Sequence, residues 1–160
     1  PTMSANGKRE KIMKALGESD LDALVAVSPE STYYSSDVII LTQKLIRDRL
    51  GMVVWTRTED PVLLLCTIEE AQARAESWIK DIRGYVEFET SPVRLLVDVL
   101  TERGLTRGRI GIEKRFLSVA YWEELTRALP QATFVACDKI FDKVRMLKTS
   151  EEMKKELEKL

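Results

Sequence analysis

The sequence lacks histidine altogether and contains only two cysteines, Cys66 and Cys137. Without histidine the chain cannot form a Ser-His or Cys-His nucleophile pair, and it lacks the commonest protein ligand of transition metals. Two cysteines this far apart do not make a disulfide framework or a zinc site. We therefore predict two buried thiols in a reducing cytoplasm. A metal site of carboxylates alone stays open, although the acidic residues are scattered along the chain.

Long apolar runs and an excess of either charge are also missing. Apolar runs such as Val38–Leu41 and Val62–Cys66 have only the length of a strand, and the polar start of the chain is unlike a secretion signal. The net charge is -1, and the two signs are interspersed, which argues against a nucleic-acid platform or a membrane-binding surface. The 160 residues, 44% of them hydrophobic, instead predict one soluble globular domain with a sizeable core.

The apolar pattern alternates between helix and strand periodicity, which predicts an α/β fold. Met52–Thr56 and Val62–Cys66 are β-rich runs joined by a polar turn, so they predict a hairpin and hence a mixed sheet with helices on both faces. The segment 35–49 has no clear pattern. The other predicted strands are Ala23–Val27, a strand with Ile79 and Ile82 inside Trp78–Gly84, Arg109–Glu113 and Thr133–Cys137. The predicted helices are Ser4–Leu16, one turn at Glu30–Tyr34, Ile68–Glu76, Pro92–Arg103, Ser118–Leu129 and Asp138–Arg145.

Few motifs carry chemical meaning. Gly104, Gly108 and Gly111 suggest a phosphate loop, but their spacing fits neither a Walker loop nor a dinucleotide fingerprint. They fit better a glycine after a helix, followed by a turn into a strand. Asp20 and Asp22 form a candidate metal pair, although aspartate is routine in turns.

Other isolated residues have two interpretations each. Asp138 follows a strand end, where α/β sites are common, and equally suits the N-cap of the next helix. Trp55, Trp78 and Trp122 are spread along the chain, which favours core or interface positions over a stacking platform.

One stretch combines basic and aromatic residues. Lys44, Arg47 and Arg49 form a local basic cluster, which is either a solvated face or an anion clamp, since arginine forks suit carboxylates. Two tyrosines and two serines, Tyr33–Ser36, lie just before this cluster. They either line a pocket or pack half-buried against the domain.

The chain ends inside a predicted helix. Thr149 and Glu152 form a capping box, and Met153, Leu157 and Leu160 form one apolar stripe with no C-cap after it. This predicts that the 160 residues belong to a larger protein, and that the stripe is poorly covered here. The alternative is an ordinary terminal helix that packs on its own domain and frays.

Five ordered motifs resemble the N-terminal domain of the creatinase/aminopeptidase P/prolidase family. Together they cover nearly the whole chain. The first resembles the opening of that domain, and the last resembles its join to the catalytic "pita-bread" domain. The motifs are Leu21–Glu30 followed by Tyr33-Tyr34, Arg103-Gly104-Leu105, Ile110–Glu113, Leu129-Pro130 and Val144–Glu152.

The resemblance implies a mixed-sheet, RNase H-like fold without RNase H activity. It divides the chain into an N-terminal domain at 1–148 and the first helical turns of a catalytic domain at 149–160. It implies a noncatalytic domain of a metal-dependent Xaa-Pro peptidase, one that serves oligomer assembly and shapes the substrate pocket of a neighbouring catalytic domain. The family's ligands for two divalent ions, manganese or cobalt, lie in the catalytic domain, so no cofactor or catalytic residue is expected in this chain.

The resemblance also implies partners and substrate-binding residues. The partners are the chain's own catalytic domain, a second subunit in a homodimer and a proline-containing peptide. Creatinase-like relatives place an arginine in the partner's site, and the matching residue here is Arg47 or Arg49, with Tyr34 and Ser36 beside it. At Ser36-Asp37 the sequence departs from the glycine and aromatic residue of many relatives. The alternatives are the N-terminal domain of a creatinase-like amidinohydrolase, a stand-alone binding or assembly module, and a small carboxylate-dependent hydrolase.

Overall fold

Six strands form one sheet in the computed structural model, which describes residues 3–46, 48–146 and 150–160. The strands are β1 (Ala23–Ala26), β2 (Met52–Thr56), β3 (Val62–Cys66), β4 (Asp81–Tyr85), β5 (Arg109–Ile112) and β6 (Thr133–Ala136). The helices are α1 (Met3–Glu18), α2 (Pro29–Ser36), α3 (Leu41–Leu45), α4 (Glu70–Glu76), α5 (Pro92–Glu102), α6 (Val119–Ala128), α7 (Asp138–Met146) and α8 (Ser150–Glu158).

The strand order is β4-β3-β2-β1-β5-β6. β2 runs antiparallel to both of its neighbours, and every other pair is parallel. The hairpin of β2 and β3 pairs Val54 with Val62, and its two strands have the predicted bounds. The predicted mixed α/β sheet is therefore confirmed.

Helices cover both faces of the sheet, because the strand side chains alternate between two cores. On one face Leu24 and Trp55 pack with Ile12 of α1 and Phe141 of α7. On the other face the alternate strand residues pack with α5 and α6, which contribute, among others, Leu96, Val99, Leu100 and Leu125. Strands that are buried on both sides read as continuous apolar runs, which explains the runs seen in the sequence.

Capping residues set several helix ends as predicted. The Ser91 hydroxyl accepts a hydrogen bond from Val93 N at the start of α5, and Pro92 occupies the first helical position. After α5, Gly104 has φ 71°, a left-handed conformation that glycine adopts without strain. Two further caps have no counterpart in the sequence analysis: the Ser28 hydroxyl accepts from Ser31 N at the start of α2, and Asp37, with φ 64°, ends that helix.

Some predicted boundaries are wrong. α1 continues to Glu18, so Gly17 lies within the helix rather than past its end; the Ser19 N–H and hydroxyl both donate to Leu16 O and close the last turn. Ile79 is buried but precedes β4. Ile68 lies in a 3₁₀ turn before α4 rather than in an α-helix. The short helix predicted at Glu30–Tyr34 extends over eight residues, because Ser28 caps it one residue earlier and Asp37 ends it two residues later.

The C-terminal helix α8 presents an apolar stripe to solvent. Met153, Leu157 and Leu160 are all exposed, as the sequence predicted. Thr149 and the domain boundary predicted at 148 lie outside the described residues, so that boundary remains a prediction. Among the described helices, none has the length and apolar character needed to cross a membrane.

Candidate functional site at the carboxyl edge of the sheet

Most strands end at one edge of the sheet, which we call the carboxyl edge. β1, β3, β4, β5 and β6 finish there, and the antiparallel β2 begins there. The chain between α2 and β2, residues 37–51, carries α3 at this edge; we call it the edge segment. In open α/β sheets, ligands and partners bind outside the carboxyl ends of the strands. The predicted basic cluster lies on the edge segment.

The buried amide of Gln43 holds the edge segment to the sheet. Its Nε2 donates to Val27 O at 2.6 Å and to Gly51 O at 3.1 Å, which ties α3 to the end of β1 and the start of β2. Next to it, the Thr42 hydroxyl donates to the Glu69 carboxylate in the turn after β3. Since polar contacts from two neighbouring residues, Thr42 and Gln43, hold α3, this five-residue helix keeps its place without a large apolar face of its own.

Arg49 lies at the end of the edge segment and forms a two-pronged ion pair. Its Nε and Nη2 donate to the two carboxylate oxygens of Glu87 at 2.8 and 2.5 Å. The hydrogen bond to Glu87 raises the pKa of Arg49 above its ordinary value, so the guanidinium stays charged at all physiological pH values. In this arrangement the Arg49 fork donates two hydrogen bonds to one carboxylate, side-on.

Two tyrosines fix the backbone around Arg49. The hydroxyl of Tyr85, at the end of β4, donates to Leu50 O at 3.0 Å, and that of Tyr121 in α6 donates to Asp48 O at 2.8 Å. Burial raises the pKa of both tyrosines, so both hydroxyls keep their protons and remain donors. Side-chain hydrogen bonds therefore fix the backbone on both sides of Arg49.

A buried carboxylate, Glu113, lies directly after β5. One of its oxygens accepts from Val27 N at 2.7 Å and Ser28 N at 2.9 Å, and the other accepts from the hydroxyls of Ser28 and Ser31 at 3.0 and 2.9 Å. Four donors thus satisfy a charge that is closed off from water. Glu113 joins the end of β5 to the start of α2.

Arg145 extends this network to α7. Its Nη1 donates to the Ser31 hydroxyl, and its Nη2 pairs with Asp142 at 2.7 Å. Asp138, at the start of α7, accepts from the backbone N–H groups of Lys114 and Arg115. The N-cap interpretation of Asp138 is wrong, since α7 begins at Asp138 itself and its carboxylate holds the turn after β5 instead. The role of Asp138 is therefore structural.

The predicted site residues are distributed over two regions. Arg49 lies at the carboxyl edge. Ser36 is buried at the end of α2, where its hydroxyl donates to Thr32 O and accepts from Val38 N. Tyr34 is half-buried, with the ammonium groups of Lys8 and Lys11 of α1 above its ring. Arg47 lies outside the described residues, and so does the side chain of Lys44.

Other candidates from the sequence have structural roles. Asp22 accepts from Arg109 N at 2.8 Å and Asp20 pairs with the Arg109 side chain, so both serve the turn into β5. Within the residues that the structure describes, no group of three or more His, Cys, Asp or Glu side chains could hold a metal ion. Cys66 and Cys137 are buried free thiols, as predicted, and burial raises the pKa of Cys137. A thiol of this kind is a poor nucleophile.

The tryptophans occupy packing positions. Trp55 is fully buried and lies 6.0 Å from Trp78 between ring centroids, and Trp122 meets Phe134 edge to face. The sequence interpretation that favoured core or interface positions over a stacking platform is confirmed.

A groove lies at the opposite, amino edge of the sheet. It encloses about 650 Å³ beside the β2–β3 turn and the start of β4. Its walls carry both charges, and two of its three cations face acids: Arg9 pairs with Asp60, and Arg103 pairs with Glu59. An arrangement of paired charges is a solvated surface rather than a built ligand site.

The sequence reasoning missed three important residues of the carboxyl edge: Gln43, Glu87 and Glu113. A signal existed only for Glu113, because an acidic residue directly after a buried strand is a usual position for functional or networked side chains. Gln43 and Glu87 lie in segments whose path cannot be read from periodicity.

Comparison with known proteins identifies relatives for most of the chain. The sequence matches the "Creatinase/Prolidase N-terminal domain" family over residues 8–147. It is 26% identical to an Xaa-Pro dipeptidase from Lactobacillus helveticus over 151 residues, which is 91% of this chain and 39% of that protein. The chain spans well under half the length of the curated relatives it matches.

Solved structures show the same fold. The prolidase from Pyrococcus furiosus is similar with a TM-score of 0.67 and 22% identity, covering 91% of this chain and 40% of that one. An aminopeptidase P structure from Streptococcus thermophilus is similar with a TM-score of 0.72 and 20% identity, covering 89% of this chain and 98% of that one. The second solved chain thus consists of little more than the domain described above.

Proposed function

Since this chain belongs to the creatinase/prolidase N-terminal domain family, we propose that it is the noncatalytic N-terminal domain of a metal-dependent Xaa-Pro peptidase. In this proposal it serves oligomer assembly and shapes the substrate pocket of a neighbouring catalytic domain in a cytoplasmic homodimer. The observation that carries the proposal is the alignment of 91% of this chain with only 39% of an Xaa-Pro dipeptidase. Most of such an enzyme, including its chemistry, would then lie in other residues.

The chemistry of this chain's own side chains supports a noncatalytic role. The described residues contain no cluster suited to a metal ion, so they do not fit the two manganese or cobalt ions that the proposal requires. We therefore place those ions in a catalytic domain and derive no step through them here. The acids at the carboxyl edge are engaged as well, with Glu113 held by four donors and Asp138 by two.

Arg49 is our candidate for contact with the substrate. A dipeptide that ends in proline has a free carboxylate, and the Arg49 fork binds the Glu87 carboxylate side-on. In the proposed enzyme, Arg49 exchanges Glu87 for the substrate carboxylate or for an acid of the partner domain. Arg47 is an equal candidate by sequence. Tyr34 and Ser36, on α2, are the other candidates that the family resemblance gives.

The test compares this chain with the complete gene product. Each is assayed on Xaa-Pro dipeptides, longer Xaa-Pro peptides and creatine with added manganese or cobalt. We expect no turnover from the 160-residue chain and metal-dependent dipeptide hydrolysis from the complete product. In the complete product Arg49→Ala should raise KM about tenfold with a smaller change in kcat, because the lost contact is a charge-assisted hydrogen bond.

A matched control is Arg94→Ala, since Arg94 is an exposed arginine on α5 that pairs with Asp98 four residues away. It should leave KM unchanged. Metal-dependent turnover that copurifies with the 160-residue chain would overturn the noncatalytic role. Creatine hydrolysis by the complete product would favour the amidinohydrolase alternative, and no hydrolysis at all would favour a binding module.

A further inference from the structure

The two outer strands of the sheet, β4 and β6, differ in how they discourage pairing with another chain. β4 carries Asp81, Arg83 and Gly84, and Arg83 pairs with Asp81 and with Glu102 of α5. Charged residues and glycine on an outer strand discourage the addition of a further strand. β6 has the sequence Thr-Phe-Val-Ala, which contains no charged residue, glycine or proline. β6 is therefore the outer strand whose sequence favours strand addition.

Two residues of β6 turn their backbone groups away from the sheet. The N–H groups of Thr133 and Cys137 both donate to carbonyls on the β5 side. Since backbone groups alternate in direction along a strand, Phe134 and Ala136 turn their N–H and C=O groups to the opposite side. β6 is the last strand in the order, and no described residue bonds these outward groups. They offer a hydrogen-bonding edge to one further strand.

A small pocket lies beside this edge, on the face that α6 covers. Phe134 packs on that face, and its ring meets Trp122 edge to face, with 5.9 Å between the centroids. Lys114, Leu117, Val119 and Trp122 line a pocket of about 310 Å³. The Lys114 ammonium lies 4.5 Å from the centre of the Trp122 ring. Because paired residues place their side chains next to each other on one face, a residue added beside Phe134 projects towards this pocket.

The exposed charge beside β6 is mainly positive. Lys114 follows β5, and Lys139 and Lys143 lie on α7, which follows β6; all three are exposed. Among the described residues no carboxylate forms an ion pair with any of these lysines, and Glu123 is the exposed acid of α6. A second β6 from another copy would bring like charges together, whereas an acidic segment would neutralise them.

We propose that the open edge of β6 binds an extended, acidic segment of a different polypeptide by strand addition. The segment pairs with the backbone of Phe134 and Ala136, and an apolar side chain beside Phe134 enters the pocket. An acidic side chain two positions away lies beside Ala136 on the same face. Ile112 is the register partner of Ala136, so Lys114, two residues later, belongs to that end of β6 and pairs with the acid. The inference does not rest on the proposed function, because it requires neither Arg49 nor peptidase activity.

The test measures binding of fluorescent peptides with blocked ends to the 160-residue chain by fluorescence anisotropy. One peptide has Leu-Thr-Glu at its centre and a second has the reverse order, so that they represent the two possible strand directions. We expect saturable binding of one of them. Replacing its glutamate with lysine should raise the dissociation constant about tenfold or more, because a charge-assisted contact becomes a repulsive one.

Backbone pairing is tested separately, because only alternate amides of an added strand face β6. N-methylation of one alternate set of peptide amides should abolish binding, and N-methylation of the other set should leave it nearly unchanged. Amide exchange followed by NMR should show new protection at Phe134 and Ala136 when the peptide binds, since their N–H groups acquire acceptors.

Two variants of the chain examine the two halves of the contact. Ala136→Pro removes an N–H that faces away from β5, so the sheet should stay paired while peptide binding is lost. Lys114→Glu should raise the dissociation constant about tenfold or more. Lys80→Glu is the matched control, since Lys80 is exposed just before β4 at the amino edge. It changes the net charge equally and should leave binding unchanged, and thermal unfolding should confirm that all three variants fold.

Three outcomes would overturn the proposal. The first is the absence of saturable binding of both peptides up to millimolar concentration. The second is equal binding of the two methylated peptides, because strand addition distinguishes alternate amides. The third is a chain that binds neither peptide but forms a dimer in sedimentation velocity that Ala136→Pro abolishes, which would assign the edge to a second copy.

Discussion

The two edges of the sheet are built in opposite ways. At the amino edge, charged side chains meet in pairs around an open groove, as Arg9 with Asp60 and Arg103 with Glu59. At the carboxyl edge, the polar groups of Glu113 and Gln43 are buried and satisfied, while apolar side chains such as Phe88 face solvent. Water solvates the first edge well and the second poorly. This difference is why we propose contact with another molecule at the carboxyl edge rather than at the amino edge.

The largest effect should come from removing the carboxylate at the centre of the carboxyl edge. Glu113→Ala leaves two backbone N–H groups and two hydroxyls without their acceptor in a closed site. We expect a loss of about 3–5 kcal/mol in the free energy of unfolding, measured by urea titration, because each buried unsatisfied donor is expensive. Glu113→Gln, which retains one acceptor oxygen, should lose less. A loss below about 1 kcal/mol in Glu113→Ala would mean that water replaces the carboxylate there.

A second effect concerns the attachment of the edge segment. Gln43→Ala removes the amide that donates to Val27 O and Gly51 O. We expect the free energy of unfolding to fall by about 1–3 kcal/mol and hydrogen exchange across α3 to become faster. Gln72→Ala is the control, since Gln72 is exposed on α4. This substitution should leave the free energy of unfolding almost unchanged. Unchanged exchange in α3 would contradict the anchoring role of Gln43.

A third effect should have the opposite sign. Phe88→Asn relieves a left-handed backbone, so the dilute monomer should gain about 0.5–1 kcal/mol of stability. Thermal unfolding at low concentration measures this without interference from association. Val86→Asn, at a residue without positive φ, should show no such gain. A destabilised Phe88→Asn monomer would mean that the ring packs on its own domain.

The smallest effect belongs to the amino edge. Arg9 and Asp60 form an ion pair with side chains 40% and 81% exposed, so water and salt screen it. A double-mutant cycle of Arg9→Ala and Asp60→Ala should give a coupling energy below about 0.5 kcal/mol, falling further in high salt. A coupling energy above about 1 kcal/mol would mean that water does not screen this pair, and the amino edge would then no longer count as an ordinary solvated surface.

Much of the fold can be predicted from the sequence, because its signals are local. Ser91 and Pro92 start α5, Gly104 follows it, and the runs of β2 and β3 give the hairpin. The family resemblance, confirmed by the match over residues 8–147, adds the order of the elements.

The candidate site is less predictable, because its contacts join distant segments. Arg49 is visible as a basic residue, but its partner Glu87 lies 38 positions away, and Gln43 has no pattern that shows where its amide points. Phe88 reads as an ordinary aromatic in a turn, and only the backbone angle and the exposure together mark it. Long-range pairing and exposure depend on tertiary packing, which periodicity does not encode.

The distance in sequence between Glu113 and its donors has a consequence for biosynthesis. The meander of β1, β2 and β3 is local and can pair as soon as it emerges from the ribosome. The acceptor of Val27 N, by contrast, is the carboxylate of Glu113, which is synthesised 86 residues later. We expect the carboxyl edge of the nascent chain to stay incompletely hydrogen-bonded until β5 and Glu113 have left the ribosome. Until then chaperones or a second nascent chain can bind there. Force measurements on stalled chains of increasing length should therefore show the main folding event only after Glu113 has emerged, rather than after the hairpin.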